Sequence, residues 1–123
     1  MRVLFVCVEN SARSQMAEAF ARALGAEASS AGSDPAGEIH PRAIQAMAEK
    51  GISLDDHRSK SLDEIAAGEW DYVVTMGCGD VCPWVPARHR EDWDLPDPKT
   101  LDDAGFRGVR DEIEARVRKL VRT

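Results

Sequence analysis

Val3-Leu4-Phe5-Val6 is an unbroken apolar run, β-branched and aromatic, the pattern of a strand buried on both faces of a parallel sheet. Directly after it the period changes. Met16, Phe20 and Leu24 recur at four-residue spacing, the apolar stripe of a helix. Residues 71–76 (Asp-Tyr-Val-Val-Thr-Met) repeat the strand pattern, and residues 28–32 carry a weaker version followed by a turn through residues 33–37. A further short strand is predicted at Glu91-Asp92-Trp93-Asp94. Pro41 suits the first position of a helix carrying Ala43, Ile44, Met47 and Ala48, with Gly51 as its terminator. Ser61-Leu62-Asp63-Glu64 has the form of a capping box and predicts a short helix ending near Gly68. The last helix is the most strongly patterned. Phe106, Val109, Ile113, Val117 and Leu120 share one face, and Arg110, Glu114 and Arg118 share another, predicted to be solvated surface. Strands alternating with helices predict an α/β fold with a parallel sheet covered on both sides. No repeat, linker or low-complexity tract interrupts residues 1–123, which are expected to form one domain.

Composition narrows the function more than the fold. With 43% hydrophobic and 31% charged residues, the chain is ordinary for a globular protein. A net charge of −6 and a pI near 5.0 argue against a nucleic-acid or anionic-membrane partner. An anionic substrate must therefore be drawn by a local positive site. No stretch approaches the roughly eighteen apolar residues of a membrane span, and the N-terminal run ends at Glu9, too soon for a signal peptide. The expected compartment is a reducing cytoplasm, where the three cysteines would be free or catalytic.

The junction of the first strand and first helix holds the chemistry. Cys7 and Arg13 bracket five residues, Val8, Glu9, Asn10, Ser11 and Ala12, and Ser14 follows. A thiol at the carboxyl end of a parallel strand, beside a loop feeding a helix N-terminus, sits where open α/β sheets bind ligands and where anions are favoured. Loop amides, the helix dipole and a guanidinium all favour thiolate over thiol. Arg13 offers a planar fork that can hold two oxygens of a tetrahedral anion together. Ser14 can donate a hydrogen bond to the sulfur, and Asn10 tolerates the left-handed backbone that turns loop amides inward.

Cys78 and Cys82 follow the strand ending at Met76, so they are predicted at the same sheet edge as Cys7. Their spacing does not match the thioredoxin pair. Zinc fits poorly, because His40, His57 and His89 lack ligand spacing. A disulfide within one turn is geometrically accessible, and so is the plain alternative of two small residues filling a loop. Past the last short strand, Pro96 and Pro98 bracket Asp97, a candidate general acid, with Asp94 as its competitor.

The segment Cys7–Ser14 continuing Gln15-Met16-Ala17-Glu18, the Ser30-Ala31-Gly32 turn and the Asp97-Pro98 step resemble the low-molecular-weight tyrosine phosphatase superfamily. Asn10 through Glu18 resembles its arsenate reductase branch, of the thioredoxin-coupled type. The resemblance implies a three-layer α/β sandwich with a four-stranded parallel sheet flanked by helices. It implies Cys7 as nucleophile, Arg13 as oxyanion clamp, Ser14 as thiolate stabiliser and Asp97 as general acid, with loop residues Val8 to Arg13 around the anion. On that pattern arsenate is the substrate, and phosphate or sulfate are competing anions. Cys78 and Cys82 resolve the product by a thiol relay, and thioredoxin or another thiol reductant recycles the protein. No organic cofactor or metal is implied, beyond a monovalent cation held in some relatives at positions matching Asn10, Glu18 and Ser30. Alternatives within the resemblance are a tyrosine phosphatase, and a reductase resolved by mycothiol or glutathione with glutaredoxin or mycoredoxin as recycling partner. An anion-binding or redox-sensing module without turnover is the non-enzymatic alternative.

Two residues depart from the phosphatase pattern. Glu9 stands where glycine is frequent, and its carboxylate is expected to point away from the anion pocket. Lys99 stands where tyrosines are typical, so recognition of an aromatic substrate is not evident.

Overall fold

In the computed structural model, which describes residues 1–65, 69–77 and 85–122, the apolar run becomes β1 (Arg2–Cys7), buried at every residue after Arg2. On one side it pairs in parallel with β2 (Glu27–Gly32), in register from Arg2↔Glu27 to Cys7↔Gly32. On the other it pairs in parallel with β3 (Tyr72–Thr75), which in turn pairs with β4 (His89–Asp92). The order β2-β1-β3-β4 means the chain leaves β1 toward one edge and returns on its far side. The carboxyl ends of β1 and β3 therefore flank the crevice where connections diverge, the ligand position of doubly wound sheets. The four-stranded parallel sheet matches the sequence expectation.

Alternation along β1 divides the core. Val3, Phe5 and Cys7 join a cluster with Met16 and Phe20 of α1 (Arg13–Ala23), Ala43 and Met47 of α2 (Pro41–Ala48), and Ile113 and Val117 of α3 (Asp103–Arg122). Leu4 and Val6 face the other way, against Ala31, Trp70 and Val73. There Leu62, Ile65, Val85 and Ala87 cover them among the described residues.

Helix ends follow local chemistry. The His40 imidazole accepts the Arg42 amide at 3.2 Å, Pro41 opens α2, and Gly51 (φ 74°) closes it with Ile52 N–H donating to Met47 O at 3.0 Å. Leu24, expected on the apolar stripe of α1, is 37% exposed because the helix ends at Ala23. Ile44 is likewise exposed, so the buried face of α2 is narrower than its sequence suggests. The Ser61 capping box forms, but it supports a single 3-10 turn, Leu62–Glu64, and Ile65 is already extended. The expected extension to Gly68 thus stops at Glu64, and residues 66–68 lie outside the described residues.

Two further expectations are corrected. β4 begins two residues before the predicted segment, because Trp93 marks the core contact after the ladder, 5.9 Å from Phe5, rather than the ladder itself. Arg110, expected in solvent, is 7% exposed. It donates to Glu49 Oε1 at 2.6 Å and to Ala46 O at 3.0 Å, supplying a donor to the carboxyl end of α2. Glu114 is also drawn inward, pairing with Lys50 at 3.1 Å. At Arg110 and Glu114 the charged face of α3 is a seam against the end of α2, while Arg118 stays exposed as expected. No helix among the described residues is long and apolar enough to cross a membrane.

Candidate active site

Cys7, the last residue of β1, is 3% exposed, and the loop after it curls back over its sulfur. The Asn10 amide points at Cys7 Sγ from 3.2 Å, and Ser14 Oγ lies 2.8 Å away. Asn10 achieves this with φ 51°, the left-handed backbone anticipated for it.

Hydrogen-bond logic fixes the direction of the Ser14 contact. The Lys60 backbone N–H, which can only donate, reaches Asn10 Oδ1 at 3.0 Å, so that atom is the carbonyl oxygen. Asn10 Nδ2 must then face Ser14 Oγ, to which it donates at 2.7 Å. With a donor already directed at its oxygen, the Ser14 hydroxyl hydrogen is free to point at sulfur. With Cys7 as thiolate, Ser14 is the donor of this 2.8 Å contact. A hydrogen bond to a charged partner contributes roughly 1.5–3 kcal/mol. Ser14→Ala is therefore expected to slow iodoacetamide alkylation of Cys7 at neutral pH by about tenfold. An unchanged rate would place the stabilisation of the sulfur elsewhere.

The anchor of this arrangement is residues 57–60, which no sequence pattern connects with the Cys7 loop. Gln15 Nε2 donates to Asn10 Oδ1 at 3.0 Å and to Arg58 O at 2.9 Å, so its Oε1 accepts from His57 Nδ1 at 2.9 Å. Ser59 Oγ donates to Glu9 O at 2.9 Å, and Gly32 N donates to Lys60 O at 2.8 Å. Gly32 is required there, since a Cβ would lie 2.5 Å from Val8 O. The hint in the sequence was Gln15 itself, a large amide that falls among the buried positions of α1.

His57 is almost enclosed, with 7% of its side chain exposed. Burial pushes its imidazole below the usual range; Glu18 opposes that shift, and Arg22 and Lys60 add to it. The fold thus favours neutral His57, with Nδ1–H donating to Gln15. Below about pH 6.5 the unfolded imidazole takes a proton that the folded one resists, so stability is full above that pH and falls as pH drops. Unfolding free energies from urea titrations between about pH 7.5 and 5.5 should decline with a slope of up to about 1.4 kcal/mol per pH unit. His57→Gln should flatten that decline, and an equal slope in the variant would assign it to another group.

Glu18 is buried and already well met. Ser30 Oγ donates to it at 2.6 Å, Arg22 lies at 3.2 Å and Lys60 Nζ at 3.8 Å. Asn10 Oδ1 likewise has two donors, from Gln15 and Lys60. The Asn10, Glu18 and Ser30 positions thus fit an added monovalent cation poorly, because it would compete with the ammonium of Lys60. Among the described residues no group of three or more His, Cys, Asp or Glu could hold a metal.

Beside the sulfur opens a small pocket lined by Cys7, Glu9, Ser11, Ala12, Arg13, Asp97 and Lys99. Helix α1 starts at Arg13 with no side-chain cap from Ala12 and no acidic residue in its first turn, so neither a cap nor a first-turn carboxylate occupies its positive end. Arg13 is aimed by Leu95 O, which accepts from its NH1 at 3.0 Å. Asp97 accepts the Lys99 amide at 3.1 Å, capping the turn Pro98–Thr100, and this places it in the pocket while Asp94 is exposed outside it. Of the other loop residues, Val8 turns its carbonyl to Asp34 N at 2.8 Å, and Val8 and Asn10 do not line the pocket. The expectation for Glu9 is overturned. Its carboxylate does not point away but pairs with Lys99 Nζ at the pocket rim. Cys78 and Cys82 lie outside the described residues.

A shielded sulfur with two donors, a guanidinium and a carboxyl group in one pocket defines a thiol-based oxyanion site. The model of the low molecular weight phosphotyrosine protein phosphatase family matches residues 2–82 and 78–123, and the chain belongs to that family. Within it, the chain is 40% identical to a glutaredoxin arsenate reductase of Synechocystis, over 98% of this chain and 95% of that one. Among solved structures, an arsenate reductase in its phosphate-binding state superposes with a TM-score of 0.89 at 39% identity, covering 98% and 95% of the two chains. A thioredoxin-dependent arsenate reductase of Corynebacterium glutamicum gives 0.78 at 42% identity, over 97% of this chain and 59% of that longer one.

Proposed function

We propose that this chain is an arsenate reductase that reduces arsenate to arsenite through a relay of its own thiols. The observation that carries the reading is the pair of donors on Cys7 Sγ, in a pocket shared with Arg13 and Asp97. Arsenate is held by the Arg13 fork and the amides of the pocket-lining loop residues Glu9, Ser11, Ala12 and Arg13. The Cys7 thiolate attacks arsenic(V), and Asp97 protonates the departing oxygen, which leaves as water. Cys78 then attacks the Cys7 sulfur. The sulfur–arsenic electron pair stays on arsenic, arsenite departs as arsenic(III), and a Cys7–Cys78 disulfide remains. Cys82 attacks Cys78, freeing Cys7 and leaving a Cys78–Cys82 disulfide for thioredoxin or another dithiol reductant in a reducing cytoplasm. Two thiols lose two electrons and arsenic gains them, so the relay needs no organic cofactor. Phosphate and sulfate share the anion geometry and should compete. The relatives named arsenate reductases support this reading over an ester hydrolase.

The test is single turnover of the reduced chain with arsenate and no other thiol. The expected result is one arsenite and two lost thiols per chain; full thiol recovery without arsenite refutes the relay. Cys82→Ser should trap a Cys7–Cys78 disulfide detectable by peptide mapping. Undiminished multiple turnover in that variant would remove Cys82 from the sequence of steps.

A further inference from the structure

The two departures from the phosphatase pattern, Glu9 and Lys99, meet each other across the pocket. Glu9 comes from the loop after β1 and Lys99 from the turn Pro98–Thr100, 90 positions apart in the chain. Both line the pocket that holds Cys7, and both are far more exposed than the sulfur: 45% and 22% of their side chains, against 3% for Cys7. The sulfur is thus the floor and the ion pair belongs to the rim. The backbone of each residue is held in place. Glu9 O accepts from Ser59 Oγ and from Ala36 N, each at 2.9 Å, and Lys99 N is held by Asp97 Oδ1 at 3.1 Å.

We propose that the Glu9–Lys99 ion pair is a size and charge filter at the mouth of this pocket, admitting bare tetrahedral oxyanions and turning away phosphate monoesters of bulky organic groups. This deepens the reductase reading and rests on its premise that the pocket receives an oxyanion. Size follows from placement. An ester must thread its organic group out past the paired side chains, whereas a free oxyanion carries nothing to thread. The enclosed space beside the sulfur is only about 10 Å³, far below the roughly 300–1,000 Å³ of pockets that hold organic ligands. Charge follows from the pairing. A lone Glu9 carboxylate would repel a dianion, and the Lys99 ammonium cancels it, leaving Arg13 as the net attraction.

The experiment measures protection of Cys7 from iodoacetamide, read by mass spectrometry of the Cys7 peptide in the full chain, with inorganic phosphate and phenyl phosphate as probes. In the native chain phosphate should protect at about tenfold or more lower concentration than phenyl phosphate. In Glu9→Gly/Lys99→Ala that ratio should fall to about threefold or less. In Lys99→Met, which leaves the carboxylate uncompensated, half-protection by phosphate should need at least about fivefold more anion. Phenyl phosphate protecting the native chain as well as phosphate does, or a native ratio in the double variant, would overturn the filter. An unchanged phosphate requirement in Lys99→Met would overturn its charge component. Failure of the reductase reading would show separately, as no arsenite from arsenate while the protection pattern stands.

Discussion

Arg13→Lys is expected to lower the single-turnover rate of arsenate consumption by about 10²–10³-fold, although it keeps the positive charge. The reason is geometric. The guanidinium of Arg13 is aimed by one N–H donating to Leu95 O at 3.0 Å, which leaves the rest of its planar fork for the anion. An ammonium on a flexible stem cannot hold that carbonyl and two anion oxygens in one plane, so it supplies charge without orientation. Rapid-quench measurement of arsenite, alongside phosphate protection of Cys7, separates the two contributions. Protection should weaken less than the rate, because charge alone still attracts the anion. Equal rates in the variant and native chains would show that the planar fork has no part in the reaction.

Gly77→Ala is expected to produce a loss of about a hundredfold in the same assay while every residue of the site keeps its identity. Gly77 has φ 74°, where an L-residue with a Cβ is strained by about 1–2 kcal/mol. The added Cβ would also lie 2.3 Å from Arg13 NH1 and 2.9 Å from Leu95 O, the two atoms whose contact aims the clamp. Backbone strain would lower the unfolding midpoint, and displacement of the guanidinium would weaken anion binding. Gly108→Ala is the control, since its Cβ meets nothing within 4 Å and helix α3 tolerates it. Native arsenate consumption by a stably folded Gly77→Ala chain would show that the clamp adjusts around the methyl group.

What the sequence made legible follows from where signal resides. β1 and the buried face of α3 announced themselves because apolar periodicity there is dense and uninterrupted. The register of β4 was not legible, because His-Arg-Glu-Asp on an exposed edge carries no hydrophobic pattern, and Trp93 beside it does. Arg110 misled for the opposite reason. A charged residue reads as solvent-facing, and only the tertiary meeting of α3 with Glu49 and the end of α2 makes it buried. At the site, Cys7, Arg13 and Ser14 could be found from spacing and loop chemistry, whereas the preference for Asp97 over Asp94 came only from the resemblance, through its Asp97-Pro98 step. Gln15 offered a hint as a large amide on the buried side of α1, but His57, Ser59 and Lys60, which hold the loop together with it, could not be found. They act through an irregular segment more than forty residues away, where no period relates one residue to the next.

That distant segment has a thermodynamic consequence. The cradle around the sulfur is tied down by residues 57–60, through contacts formed as the polypeptide folds. Its conformational entropy is surrendered at folding rather than at ligand capture. An incoming guest finds its donors already immobilised, so little of the attraction between them is consumed in arranging the host.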